Sequence, residues 1–195
     1  MRYGDEYKSQ ARANLVESSG RHAKKHGFSS SGMADLAAAA GVTTGSLYKH
    51  FSGKSDLFIA LITAELERTA DLYKNIDASD EAQVARVLRG YLSMSHVQHP
   101  DSGCPLPSLT PEISRADDQV KQAFEVGIRA IHANVQAITG DTNTAWTVIA
   151  QNVGAVMLAR AMHSEGLQSE LLCSVRNAGD MLLSSHAPIH SAGQS

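Results

Sequence analysis

Aromatic side chains are scarce in this 195-residue chain: Phe, Tyr and Trp make 5% of it, within 43% hydrophobic residues overall. A core short of rings and rich in Ala favours closely packed helices over a β-sandwich. There are two cysteines, Cys104 and Cys173. That count excludes a four-cysteine zinc site and offers no disulfide framework. No apolar run approaches the roughly 20 residues that cross a bilayer, and the opening MRYGDEYKSQ is too polar for a secretory signal. No membrane partner is expected, and the cytoplasm is the expected location. There is no Gly-rich phosphate loop, no HExxH pair and no G-x-S-x-G elbow, so no catalytic constellation stands out and no cofactor or metal is expected.

The net charge of −3 at first argues against a nucleic-acid partner, but its distribution reverses that. Residues 1–54 hold eight Lys/Arg against four Asp/Glu, a surplus of +4; residues 55–195 hold nine against sixteen, or −7. One basic lobe and one acidic lobe are the asymmetry of a protein that meets nucleic acid with one end.

The basic lobe contains ADLAAAAGVTTGSLYKHFSGKSDLF, residues 34–58. Ala34 to Ala40 has helical apolar spacing. Gly41 follows as a C′ glycine, and Thr43 as the N-cap of a short second helix. Leu47 and Phe51, four apart, face the core, while Thr44, Gly45, Ser46, Tyr48, Lys49 and His50 face outward. Hydroxyls, a phenol and cations bond phosphate oxygens and base edges, and small Gly45 and Ser46 permit close approach of a duplex. Two short helices across a Gly-containing turn predict a helix-turn-helix; the competing reading is a solvated helix pair.

Residues 27–58, GFSSSGMADLAAAAGVTTGSLYKHFSGKSDLF, resemble the DNA-binding domain of TetR-family transcriptional regulators. The run from Gly41 to Phe51 with Lys54 beyond it is the most specific part, and Gly27-Phe28 also matches. The resemblance implies that Tyr48 and His50 contact phosphates, that Thr44, Gly45 and Ser46 lie nearest the bases, and that Lys54 holds a phosphate. Thr43 and Lys49 complete the expected DNA-binding set. Two departures stand out: Ala34 replaces a frequent basic residue, and Gly32 replaces the usual Ser or Thr cap, so Ser31 is expected to cap the second helix.

Beyond Ser55 the apolar periodicity predicts helices over 55–75, 81–99, 117–139, 143–164 and 168–185. A short or broken helix is expected over 104–114, where Pro105, Pro107 and Pro111 crowd together. With the first helix at 5–26, the count is nine. The expected fold is all-α: a three-helix DNA-binding domain at 1–54, a six-helix ligand-binding and dimerisation domain at 55–186, TetR-like, and a disordered tail at 187–195. Lys24 and Lys25 at the end of the first helix suit its dipole, and a solvated face is the plain reading of both. Arg2 and Lys8 are candidates for an arm touching DNA.

Cys104, before Pro105, is expected to be a helix N-cap, which would lower its thiol pKa. The segment from Gly103 to Arg129, with Gly-Cys-Pro-Leu, Glu112, Arg115 and Phe124, resembles a TetR subgroup bearing a cysteine there, some of whose members sense electrophiles or oxidants. The competing reading is a small packing residue. Cys173, mid-helix, is expected to be buried and inert. His96 and His99 with Cys104 form a weak metal reading that lacks a fourth ligand. Tyr91, Met94, Phe124, Trp146, Met157 and Met162 are candidates to line an effector cavity, with His132, Asn134, Gln151, Asn152 and His163 as its polar groups. The sequence therefore predicts a homodimeric DNA-binding regulator, a repressor released from a palindromic double-stranded operator by a small-molecule or thiol-reactive effector. The alternatives are a cysteine-dependent enzyme or a helical interaction module using Cys104. The 143–164 and 168–185 helices, rich in small residues, are expected to form the dimer interface, with Ala155 and Val175 in it.

Overall fold

The computed structural model describes residues 2–184; the expected tail and the whole side chain of Arg2 lie outside what it describes. Within that range it holds ten α-helices and no strand. They are α1 (Arg2–His26), α2 (Met33–Ala39), α3 (Thr44–Tyr48), α4 (Lys54–Lys74), α5 (Glu81–Tyr91), α6 (Met94–Gln98), α7 (Leu106–Ile113), α8 (Asp118–Thr139), α9 (Thr142–Ala161) and α10 (Glu165–Ser184). None is long and apolar enough to cross a membrane.

The expected 81–99 helix is two helices. Its backbone breaks at Leu92 and Ser93, and the Ser93 hydroxyl accepts from the His96 amide to start α6 afresh. A Ser at that point offers the cap an uninterrupted helix would not use. The proline-rich segment forms α7, because Pro105 and Pro107 sit at its start, where the first turn needs no intrahelical N–H partner. Only Pro111 falls inside it.

α4 is the spine. α1 packs on one part of it and α8 runs alongside, with Leu57, Leu61, Ile62 and Leu66 fully buried between them. Gly127 of α8 makes the approach possible: a Cβ there would stand 2.5 Å from the Leu66 side chain. The α1–α3 end closes on Leu36, Leu47 and Phe51, with Phe28 stacked on Phe58 at 4.0 Å between ring centroids. A second apolar cluster, built from Leu92, Val97, Ala155, Val156, Ala159 and Leu172, locks α6, α9 and α10 together.

Ala155 and Val175 are therefore core-facing: Ala155 is buried and Val175 packs against the second cluster. The expectation that they lie in a dimer face is corrected on that ground. The outward faces of α9 and α10 instead carry Met157, Leu158, Leu167 and, 68% exposed, Met181.

Candidate nucleic-acid interface and its link to the second lobe

The α2–turn–α3 unit is built as the sequence predicts. Gly41 takes φ +68°, a left-handed conformation that costs glycine little, and the chain reverses there. Thr43 caps α3, its Oγ1 accepting from the Ser46 amide at 3.2 Å, and it also bonds the Ser46 hydroxyl at 3.0 Å. Leu47 and Phe51 are buried, which turns Tyr48 and Lys49 out to solvent; Tyr48 is 55% exposed. Thr44 and His50 are half-buried at the rim. Gly45 has room for a side chain: the nearest atom to an added Cβ is Thr43 Oγ1 at 3.9 Å, an ordinary contact. Nothing inside the protein requires a glycine there.

Two local expectations change. Ser31 does not cap α2; its hydroxyl donates to the Gly27 carbonyl at 2.7 Å and pairs with His22 Nε2. Gly32 is the N-cap, and the Asp35 carboxylate reaches back to accept its amide at 2.8 Å. Lys54 is already engaged: its ammonium donates to the Ser29 carbonyl at 3.0 Å and lies 5.1 Å from the Phe28 ring centroid. One of its three donors is thus used to hold the α1–α2 loop against the start of α4.

The larger departure is in the last turn of α1. Lys24 is not on a solvated face. It is buried, its ammonium 2.9 Å from Glu65 of α4 and 3.0 Å from the carbonyl of Gly103, while Arg68 closes on the same Glu65 carboxylate. Burial pulls the Lys24 pKa down, and Glu65 opposes that shift. Two further residues of the Gly103–Asp117 segment, Glu112 and Asp117, bond to the α1–α4 frame. Glu112 of α7 accepts the backbone amides of Phe28 and Ser29, at 3.1 and 2.6 Å. The Ser55 hydroxyl, in the first turn of α4, donates to Asp117, the N-cap of α8. That bond holds the Asp117 carboxyl below its ordinary pKa. The α1–α4 frame is therefore tied at three points to one stretch of 15 residues centred on α7. No local pattern in the sequence signals these ties; each joins residues 62 or more positions apart.

Cys104 lies in that stretch, and its expected reactivity is not supported by its surroundings. Pro105, not Cys104, is the N-cap of α7. The thiol is buried, which pushes its pKa up, and the Thr69 hydroxyl lies 3.8 Å from Sγ. Cys173 is the exposed cysteine, the reverse of the expectation. His96 is bound on both sides. Its Nδ1 donates to the Tyr91 carbonyl at 2.8 Å, and its Nε2 accepts the Cys104 backbone amide at 3.1 Å. A carbonyl only accepts and an amide only donates, so these partners fix the neutral Nδ1–H tautomer. Burial lowers the His96 pKa. Gly103 makes the arrangement possible, since a Cβ there would come within 2.3 Å of the His96 ring. His96 thus serves backbone rather than thiol, which removes the nucleophile–base pair an enzyme would need, and it does not join exposed His99 and Cys104 in a shared donor set.

Of the other cavity candidates, Tyr91 and Asn152 line a buried chamber and Gln151 a neighbouring one. Trp146 is 43% exposed and stacks on His132 at the surface, and Phe124 packs on the main core. Asn134 is used to donate to the Ala70 carbonyl, and His163 is exposed.

Residues 19–61 match the family model described as bacterial regulatory proteins, tetR family. The chain is 32% identical over 92 residues to the HTH-type transcriptional regulator TtgR of Pseudomonas putida, a match that covers 47% of this chain and 44% of that protein. It thus spans less than half the length of that relative. Among solved structures, a TetR-family transcriptional regulator from Cytophaga hutchinsonii superposes with a TM-score of 0.73 at 20% identity, covering 92% of this chain and 96% of the other. The reduced form of Escherichia coli NemR gives 0.70, also at 20% identity, covering 86% and 96%. The fold, N-terminal helix-turn-helix and helical remainder alike, is that of these proteins.

Proposed function

We propose that this chain is a TetR-family transcriptional regulator: a homodimer that binds a palindromic DNA operator through Thr43–His50 and Lys54, acts as a repressor, and is released by a small-molecule effector. The observation that carries the reading is the capped α3, with Tyr48 and Lys49 exposed and with a glycine at 45 that the fold itself does not need. A single five-residue reading helix makes few base contacts, so two copies on two half-sites supply affinity and specificity together. The domains divide near the start of α4, and operator binding is a cytoplasmic activity.

The three ties to the 103–117 stretch supply the coupling. An effector that favours another position of α7 changes where Glu112, Asp117 and the Gly103 carbonyl hold the N-terminal helices, and so the separation of the two reading helices in the dimer. Among possible effectors, a thiol-reactive one is disfavoured by the burial of Cys104 and its raised pKa.

A mobility shift with the DNA upstream of the chain's own coding sequence tests the reading. The wild type is expected to bind. Tyr48→Ala should bind about tenfold more weakly, the scale of one lost contact, with its circular dichroism unchanged. Equal affinity for the two proteins would remove α3 from the interface. The dimer face is tested by sedimentation: Leu158→Glu, on the exposed face of α9, should give folded monomers. An intact Leu158→Glu dimer would place the interface elsewhere.

A further inference from the structure

Two small chambers meet inside the second lobe. The inner one is lined by Thr69, Tyr73, Tyr91, Leu106, Ile131 and Val135, among others. The outer one reaches towards the Arg89–Asp180 ion pair and Arg176. Both are bounded by Leu88, Val148 and Asn152, which form the partition between them. A water-sized sphere finds about 20 Å³ of room in each. That is space for about one water molecule, so anything larger must displace the partition.

The inner chamber has a marked chemical bias. Its ionisable side chains are the phenols of Tyr73 and Tyr91, and burial raises the pKa of both, so they stay neutral. The Tyr91 hydroxyl is deeply buried, and its polar neighbour is the Cys104 thiol, a weak acceptor, with no hydrogen bond of good geometry formed. A buried hydroxyl left with only a sulfur neighbour gains from a bound oxygen acceptor. The Thr69 hydroxyl is already spent on the Glu65 carbonyl at 2.9 Å. The nearby cations are committed elsewhere. Arg160 holds the His96 and Val97 carbonyls and the Ser108 hydroxyl, and Lys24 holds Glu65 and the Gly103 carbonyl. The inner chamber's own lining offers an anion no counter-charge and an organic cation no carboxylate; Arg89, Arg176 and Asp180 line only the outer one, where Arg89 holds Asp180 and Arg176 donates to the Leu92 carbonyl.

We propose that this chamber binds a small, uncharged, largely apolar molecule whose one hydrogen-bond acceptor, a ketone, aldehyde, ester or ether oxygen, takes the Tyr91 hydroxyl. The ligand enters as Leu88 and Asn152 turn aside and merge the two chambers. Leu106, the first residue of α7, lines the same chamber, so filling it presses on the helix that carries Glu112. This deepens the reading of the chain as an effector-responsive regulator, but the binding itself is measured without DNA.

The test titrates the full chain calorimetrically with cyclohexanone, cyclohexanecarboxylate and cyclohexylammonium. Cyclohexanone is expected to bind, and both charged compounds to bind at least about tenfold more weakly. Tyr91→Phe should weaken cyclohexanone about fivefold, as for one lost hydrogen bond, while Tm changes little because only a weak contact with the Cys104 thiol goes with the hydroxyl. Val153→Phe, which fills the chamber, should abolish binding; if that variant fails to fold, Tyr91→Phe still decides the matter. Carboxylate binding as tight as ketone binding, an unchanged Tyr91→Phe affinity, or no binding by any of the three would overturn the proposal. Ketone binding in a protein that shifts no DNA would leave it standing and defeat the regulator reading instead.

Discussion

The polar residues of α3 and those at the α1–α4–α7 junction follow opposite rules. On α3, Tyr48 and Lys49 point to solvent, and the hydroxyls of Thr43 and Ser46 serve the helix's own cap. At the junction, Lys24, Glu65 and His96 are buried, and each is held by a partner elsewhere in the chain. The first set costs the fold little and is free to meet an external partner. The second is locked inward, and its value lies in what it joins. Polar groups exposed to an external partner and polar groups that join distant elements are thus separated, with α7 linking the second set to the α1–α2 loop.

Breaking the junction should have the largest effect. Glu65→Ala leaves the Lys24 ammonium buried with a carbonyl as its remaining partner, and should cost about 3–5 kcal/mol in urea unfolding. A loss below about 1 kcal/mol would mean that water reaches Lys24. Next comes Gly45→Ala, which should separate the two regions cleanly. Ala in place of Gly favours helix, so stability should rise by about 0.5–1 kcal/mol, while operator affinity falls about tenfold through lost close approach. If affinity is unchanged, Gly45 does not face the duplex.

The smallest effect is a pH dependence. Burial depresses the folded pKa of His96, aided by nearby Arg160 and Lys24, so the folded state favours the neutral ring. Its contribution is present above the unfolded His pKa of about 6.5 and is lost as pH falls towards the folded value. Tm should therefore drop between about pH 7 and about pH 5. His96→Gln should flatten that part of the profile, and an identical slope in that variant would assign the drop to other groups.

The sequence revealed what is local. Gly41, Thr43, Leu47 and Phe51 follow from turn chemistry and helical spacing over a dozen residues, and each sits where that spacing places it. Ser31 departs from the expected cap because a hydroxyl near a helix start has several nearby carbonyls within reach, and it donates to that of Gly27. The burial of Lys24 is not legible, and that of Cys104 stands only as one of two readings, because both depend on α4 and α7 meeting α1, which no window of sequence contains. Ala155 and Val175 were placed on the wrong face for a related reason. The apolar character of α9 is nearly continuous around the helix, so periodicity alone does not say which side meets α6 and α10 and which side remains exposed.

Glu112 also turns two ordinary peptide groups into reporters. The amides of Phe28 and Ser29 donate to its carboxylate across 83 or more residues of chain. Their exchange with deuterated solvent is therefore governed by whether α7 is in place, even though Ser29 lies at the surface, where protons ordinarily leave quickly. Slow exchange at these two positions marks the docked arrangement, and its loss on adding a compound would register undocking before any operator is present.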